Sequence, residues 1–315
     1  MRFKVIWVLA GAALVTCSMA DAKLGDRLRA WKAMKAMREG SSLYDKNAPE
    51  APPPVTLAYG SDPAQQLNLW MPKDAPKANN AAVPLVLFVH GGGWKRGSME
   101  NATGKWKPVH YTGSGYAFAS INYRLVPDAT VEQQAADIAA AVKLLIGRDG
   151  IDKRRVVIMG HSAGAHLVAL VGTDERYLKG AGLSFANLAG VVPIDGAAYD
   201  VPAQMSDGPQ IMQQTYAQAF GTDPARQKAL SPTLQAAAPN AAKFLLLHVQ
   251  RADGIRQSEA LEKALKAGGS AVERKDFPGE GLQGHAEINR RLGDPDYAAT
   301  GVVDQWLKGV FGAGA

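Results

Sequence analysis

The run Val156-Val157-Ile158-Met159 turns through Gly160-His161-Ser162-Ala163-Gly164 into His166-Leu167-Val168-Ala169-Leu170-Val171, and few folds accommodate such a passage. The first four residues read as a buried strand and the last six as an apolar helix. A reversal from strand to helix in so few residues needs a strained backbone at Ser162 and small neighbours on either side. It also throws the serine hydroxyl off the end of a sheet and sets the following amides at a helix N-terminus. G-x-S-x-G alone is a moderate signal in a chain with 33 glycines. Its strand-turn-helix setting gives it weight as a nucleophile elbow.

A second motif lies upstream, where Val86-Leu87-Phe88-Val89 runs into His90-Gly91-Gly92-Gly93-Trp94. A serine attacking an acyl carbon creates a negatively charged oxygen that preoriented N–H groups must meet. The amides of Gly92, Gly93 and Ala163 are the candidates for that oxyanion hole, with His90 organising the loop. A serine hydroxyl also needs a base, and the base needs a carboxylate to orient it. Of six histidines, only His248 and His285 lie far enough beyond Ser162 for the order nucleophile, acid, base. His248 falls inside an apolar strand, whereas His285 follows the loop Gly279-Glu280-Gly281-Leu282-Gln283-Gly284. His110, His161 and His166 read as structural. Asp253, just past the strand Phe244–Val249, is the preferred acid. Asp195, after Val191-Val192-Pro193-Ile194, is its competitor, and Asp200 is a weaker one.

Around these motifs short apolar runs alternate with helical patterns. Strands are expected at Leu67–Trp70, Leu85–Val89, Ala117–Tyr123, Val156–Met159, Leu188–Ile194, Phe244–Val249 and Ala271–Phe277. Helices are expected over Val131–Ile146, Arg256–Leu265 and Tyr297–Val310. Several runs are apolar on both faces, as central parallel strands require. The fold class is therefore α/β, with a mostly parallel sheet covered by helices on both sides. With 315 residues, 47% of them hydrophobic, one catalytic domain over residues 55–315 is the economical reading.

The start of the chain reads differently. Met1-Arg2-Phe3-Lys4, the apolar stretch Val5 to Val15 and the small residues that follow form an export signal over residues 1–22. A periplasmic or secreted protein is implied, and Leu14-Val15-Thr16-Cys17 allows a lipid anchor at Cys17 instead of plain cleavage. Cys17 is the single cysteine, so the mature domain relies on packing rather than disulfides. Residues 23–38 place Leu24, Leu28, Trp31 and Met34 on one face among basic residues, an amphipathic helix that either packs on the domain or touches a membrane surface. Pro49-Glu50-Ala51-Pro52-Pro53-Pro54 completes a linker, giving 23–54 as an N-terminal extension. The net charge of +6 falls by one when residues 1–22, with Arg2, Lys4 and Asp21, are removed. No basic stripe interleaved with aromatics suggests a nucleic-acid partner.

His90-Gly-Gly-Gly-Trp94, Asn122-Tyr123-Arg124-Leu125, Gly160-His-Ser-Ala-Gly-Ala-His166 and Gly284-His285 together resemble the bacterial carboxylesterases of the α/β-hydrolase superfamily. Within it the chain is similar to the branch with kynurenine formamidase-like and feruloyl-esterase-like enzymes. Relatives of the hormone-sensitive-lipase type usually carry Asp where His161 stands. The resemblance covers roughly residues 55–311 and implies a serine hydrolase that uses no metal or organic cofactor and cleaves a small ester, with short-chain or aryl esters expected. An amidase or formamidase needs the same machinery, and a non-catalytic binding protein is the remaining alternative. Trp94, Met212 and Tyr216 are expected to line the substrate pocket, with Met205, Ile211 and Phe220 as further candidates for a short lid.

Overall fold

The computed structural model describes residues 44–73, 82–237 and 239–312. The expected export signal with Cys17 and the amphipathic helix over residues 23–38 lie outside these. Eight strands form one sheet: β1 Val55–Ala58, β2 Gln66–Trp70, β3 Val83–Val89, β4 Ala117–Ile121, β5 Ile151–His161, β6 Gly190–Ile194, β7 Lys243–Gln250 and β8 Ala271–Glu280. Their order is β1-β2-β4-β3-β5-β6-β7-β8. β2 is antiparallel to both neighbours, and all pairs from β4/β3 to β7/β8 are parallel.

The period of two in the strands decides which helices each face meets. On β3, Leu85, Leu87 and Val89 join one core cluster, while Val86 and Phe88 join the other. The first cluster is shared with α2 (Val131–Ile146) and α3 (Ala163–Thr173). The second takes in Tyr111 from α1 (Trp106–Gly113) and Val303 and Trp306 from the last helix. Every residue of β3 and β6 is buried, as strands covered on both faces must be. α2 begins where Thr130 and Gln133 form a reciprocal capping box and occupies the span expected from its periodicity.

Further α-helices among the described residues are α4 Glu175–Gly180, α5 Val201–Asp207, α6 Gln213–Phe220, α7 Pro224–Ala229, α8 Pro232–Gln235, α9 Ala252–Ala267, α10 Gly281–Arg290 and α11 Ala298–Phe311. Two of them differ from expectation. α9 starts at Ala252, directly behind β7, so Asp253 lies in the first turn of a helix. His285 sits on α10 rather than in a loop, because β8 runs on to Glu280 and the helix begins at Gly281. The Pro-rich stretch lies along the domain: Trp106 Nε1 donates to the Tyr44 carbonyl (3.0 Å) and Trp70 Nε1 to that of Pro52 (2.8 Å). Asp45 meets Arg290 of α10 at 3.1 Å.

Candidate active site

Parallel register brings the chemistry-bearing residues to one edge of the sheet. Val89 is level with Gly160, His161 with Ile194, and Ile194 with Leu247. The segments that leave β3, β5, β6 and β7 therefore meet at the carboxyl ends of the strands, where open α/β sheets form clefts. Backbone strain collects at the same edge. The non-glycine residues with positive φ among the described residues are Trp94 (60°), Ser162 (56°), Asp195 (42°) and Ala198 (58°). Each follows the end of β3, β5 or β6. Such conformations cost about 1–3 kcal/mol apiece and persist only where packing imposes them.

At the elbow, Ser162 has φ 56° and ψ −116° and directly precedes α3. Its own N–H donates to the Ile194 carbonyl at 3.0 Å, which ties the turn to β6. A Cβ on Gly160 would strike the Gly164 carbonyl, and one on Gly164 would strike that of Val89. The flanking glycines are thus required by close backbone approach. Upstream, the Gly92 carbonyl accepts from Arg96 N–H (3.1 Å) and so closes the glycine turn. His90 is fully buried, stacked on Tyr123 with ring centroids 4.3 Å apart. Tyr123 in turn donates to the His90 carbonyl at 3.0 Å. Burial lowers the His90 imidazole to about 4, which leaves it neutral and a loop organiser.

His285 Nδ1 lies 2.5 Å from Asp195 Oδ2. This corrects the expectation that Asp253 orients the imidazole. Asp195 is completely buried, its N–H donates to the Leu247 carbonyl (2.7 Å), and its Oδ1 accepts from Val249 N–H (3.2 Å). Burial by itself would raise this carboxyl. The Arg251 guanidinium, the bond from His285 and the Val249 amide outweigh it and hold the group well below the usual carboxylate range. With its Nδ1 proton toward the carboxylate, His285 leaves Nε2 as an acceptor. Asp253 instead takes a 3.3 Å bond from Gln204 Nε2 and stands 3.7 Å from Arg251. Asp200 caps α5 by accepting from Ala203 N–H.

Three residues near this pair escape a reading of the sequence. Arg251 places Nε 3.4 Å from Asp195 Oδ2 and donates to the Gly196 carbonyl at 3.2 Å. Its only signal is a lone charged residue at the very end of a buried strand. Gln204 carries no sequence signal. His161, which reads only as structural, donates from Nε2 to the His285 carbonyl (2.9 Å), and the two rings lie 4.4 Å apart. Burial, and then the charge His285 would carry, hold His161 well below the ordinary imidazole range. It therefore supports His285 as a neutral ring.

A cavity of about 370 Å³ opens over these groups, bordered by Gly93, Trp94, Ser162, Ala163, Met212, Tyr216, Arg251, Asp253 and His285 among others. The three expected pocket residues thus all border it. Trp94 does so as a packed wall, 2% exposed, with Nε1 donating to His166 Nδ1 and its ring against Phe220. Ile211 borders the cavity too, whereas Phe220 is core and Met205 packs beside it. Gly93 and Ala163 of the proposed amide donors face the space, with Gly92 one residue behind them.

The sheet order, the elbow and the histidine–carboxylate pair define an α/β-hydrolase. The family model described as BD-FAE matches residues 70–265, and the chain belongs to that family. It is similar to the esterase LipC of Mycobacterium tuberculosis, with 32% identity over 149 residues, 41% of this chain and 36% of that protein. The chain thus spans about a third of that relative's length. Similarity to the kynurenine formamidase of Salmo salar runs longer, at 25% identity over 78% of this chain and 79% of the fish protein. Among solved structures, esterase B from Lactobacillus rhamnosis superposes with a TM-score of 0.70 at 23% identity, over 93% of this chain and 96% of the other.

Proposed function

We propose that the protein is a serine hydrolase that cleaves carboxylic esters. Ser162 attacks the acyl carbonyl, and His285 accepts its proton and returns it to the leaving alcohol. Asp195 fixes the imidazole tautomer and offsets the imidazolium charge. The amides of Gly92, Gly93 and Ala163 receive the oxyanion, and water then releases the acyl group from Ser162. The observation that carries this reading is one cavity bordered by both the strained Ser162 and His285, the latter bonded to a buried carboxylate. The esterase name of the mycobacterial relative supports the ester as substrate class. A cavity of about 370 Å³ favours short acyl chains.

The test is hydrolysis of p-nitrophenyl butyrate together with labelling by a fluorophosphonate. Wild type is expected to do both, and Ser162→Ala to lose both while keeping its fold. Undiminished turnover by Ser162→Ala would remove the serine from the mechanism. A formamidase is the second reading, favoured by the Salmo salar relative, which covers most of this chain. Assay of N-formylkynurenine beside the aryl ester separates the two. The basic and apolar start of the chain supports export, which fractionation of the producing cell checks.

A further inference from the structure

We infer that the wall of the cavity formed by Asp253 and Tyr216, with the buried Gln204 bonded to both behind it, is a subsite for a hydrogen-bond donor, a hydroxyl or a protonated amine, on the non-reacting part of the substrate. The inference rests on the ester-hydrolase reading of Ser162 and His285 and deepens it.

Asp253 is free for this task because Asp195 already holds His285 Nδ1. Its side chain is only 13% exposed, yet it borders the same cavity as Ser162. A carboxylate has about four acceptor positions. Against these stand one long bond from Gln204 (3.3 Å) and the Arg251 guanidinium at 3.7 Å. A carboxylate so far removed from water, with so few donors, gains from any donor that enters the cavity.

The wall is built rather than incidental. Gln204 is 2% exposed, and its Nε2 donates both to Asp253 and to the Tyr216 hydroxyl (3.0 Å). Its Oε1 accepts from Ala198 N–H at 3.4 Å. One buried amide thus orients the carboxylate and the phenol together. Because the Tyr216 oxygen accepts that bond, its own proton remains to be donated. Charge points the same way. Arg251 faces the buried Asp195 as well as Asp253, so its guanidinium is divided between two carboxylates and offsets the charge of Asp253 only in part. Ile211, Met212 and Leu282 supply an apolar border, of which Ile211 and Leu282 are exposed. The substrate that matches both borders is an apolar ester carrying a donor group beyond the reacting carbonyl.

The experiment compares kcat/KM for benzyl butyrate, 4-(hydroxymethyl)benzyl butyrate and 4-(aminomethyl)benzyl butyrate in wild type and Asp253→Asn. Wild type is expected to favour the donor-bearing esters by about tenfold to a hundredfold, the range a charge-assisted hydrogen bond spans. Asp253→Asn should shrink that ratio to within about threefold of unity. A larger loss for the amine identifies charge as the recognised property, and an equal loss identifies the hydrogen bond. Wild type without a preference, or a preference that survives Asp253→Asn, overturns the subsite. Inhibition of wild type probes the same wall without a variant. Benzylamine and benzyl alcohol should inhibit more strongly than toluene, and equal inhibition by all three would count against the subsite. Failure of wild type to cleave any of the three esters would count against the ester reading itself.

Discussion

The substitution that most directly separates the two carboxylates is Asp195→Asn against Asp253→Asn. Asp195 holds the imidazole from a completely buried position, so Asp195→Asn should lower kcat by about 10³–10⁴-fold, as loss of the orienting acid does in other triads. Asp253→Asn should cost at least a hundredfold less on p-nitrophenyl butyrate. Equal losses would return Asp253 to the role of orienting acid. His161 has a subtler part, because it touches the base through a carbonyl bond and a ring face. His161→Leu should reduce kcat about tenfold or more with little change in KM. His161→Gln, which keeps an N–H for the His285 carbonyl, should restore most of it. If Gln and Leu behave alike, the hydrogen bond is not what positions the base.

The way the elements end explains why sequence alone marks Ser162 and His285 but misplaces the carboxylate that is bonded to His285. Ser162 and His285 are marked by local chemistry: glycines around a turn, and a histidine after the last strand. Asp195 and Asp253 look alike in sequence, since each follows an apolar run. What separates them is how each strand ends. β6 stops at Ile194 and leaves Asp195 in a left-handed conformation beneath the imidazole, whereas α9 starts so soon after β7 that Asp253 turns toward Gln204. The same level of organisation places a load on Lys107 of α1. It is wholly buried, with Nζ bonded to the Thr103 carbonyl (2.7 Å) and to Asn289 through both its carbonyl and Oδ1 (3.0 Å for the latter). Asn289 stands one turn after His285 on α10, so this contact fastens the helix that carries the base. Lys107→Met should leave those acceptors unpaired and cost about 3 kcal/mol of stability. Activity at a temperature well below the new midpoint should fall as well. Thermal melting beside kcat checks both, and a variant as stable as wild type would show the bonds to be dispensable.

Across the whole molecule, the site is assembled around histidines that folding keeps uncharged. Burial lowers His90 and His166 to about 4 and holds His161 well below the ordinary imidazole range. In the unfolded chain each would titrate near the ordinary value of about 6.5. As pH falls through 6.5 the unfolded state therefore gains protons that the folded state refuses, and stability drops until the folded groups titrate. At the steepest point His90 and His166 give about 3 kcal/mol per pH unit, and between pH 7 and pH 5 they remove about 4 kcal/mol, to which His161 adds in the same direction. That loss is a large fraction of the total stability of many domains, about 5–15 kcal/mol. Asp195 acts in the same direction only below about pH 4, where the unfolded carboxyl begins to take up its proton while the folded one stays ionised. The expected result is a urea midpoint that falls steeply from pH 7 to pH 5, followed by unfolding before the carboxylates contribute. His166→Gln offers an acceptor to Trp94 and a donor to the Leu230 carbonyl, the two partners of the native ring. It should flatten the slope by about 1.4 kcal/mol per pH unit at its steepest, the share of one imidazole. A free energy of unfolding that stays within about 1 kcal/mol over this range would mean the imidazoles take up their protons without leaving the folded state.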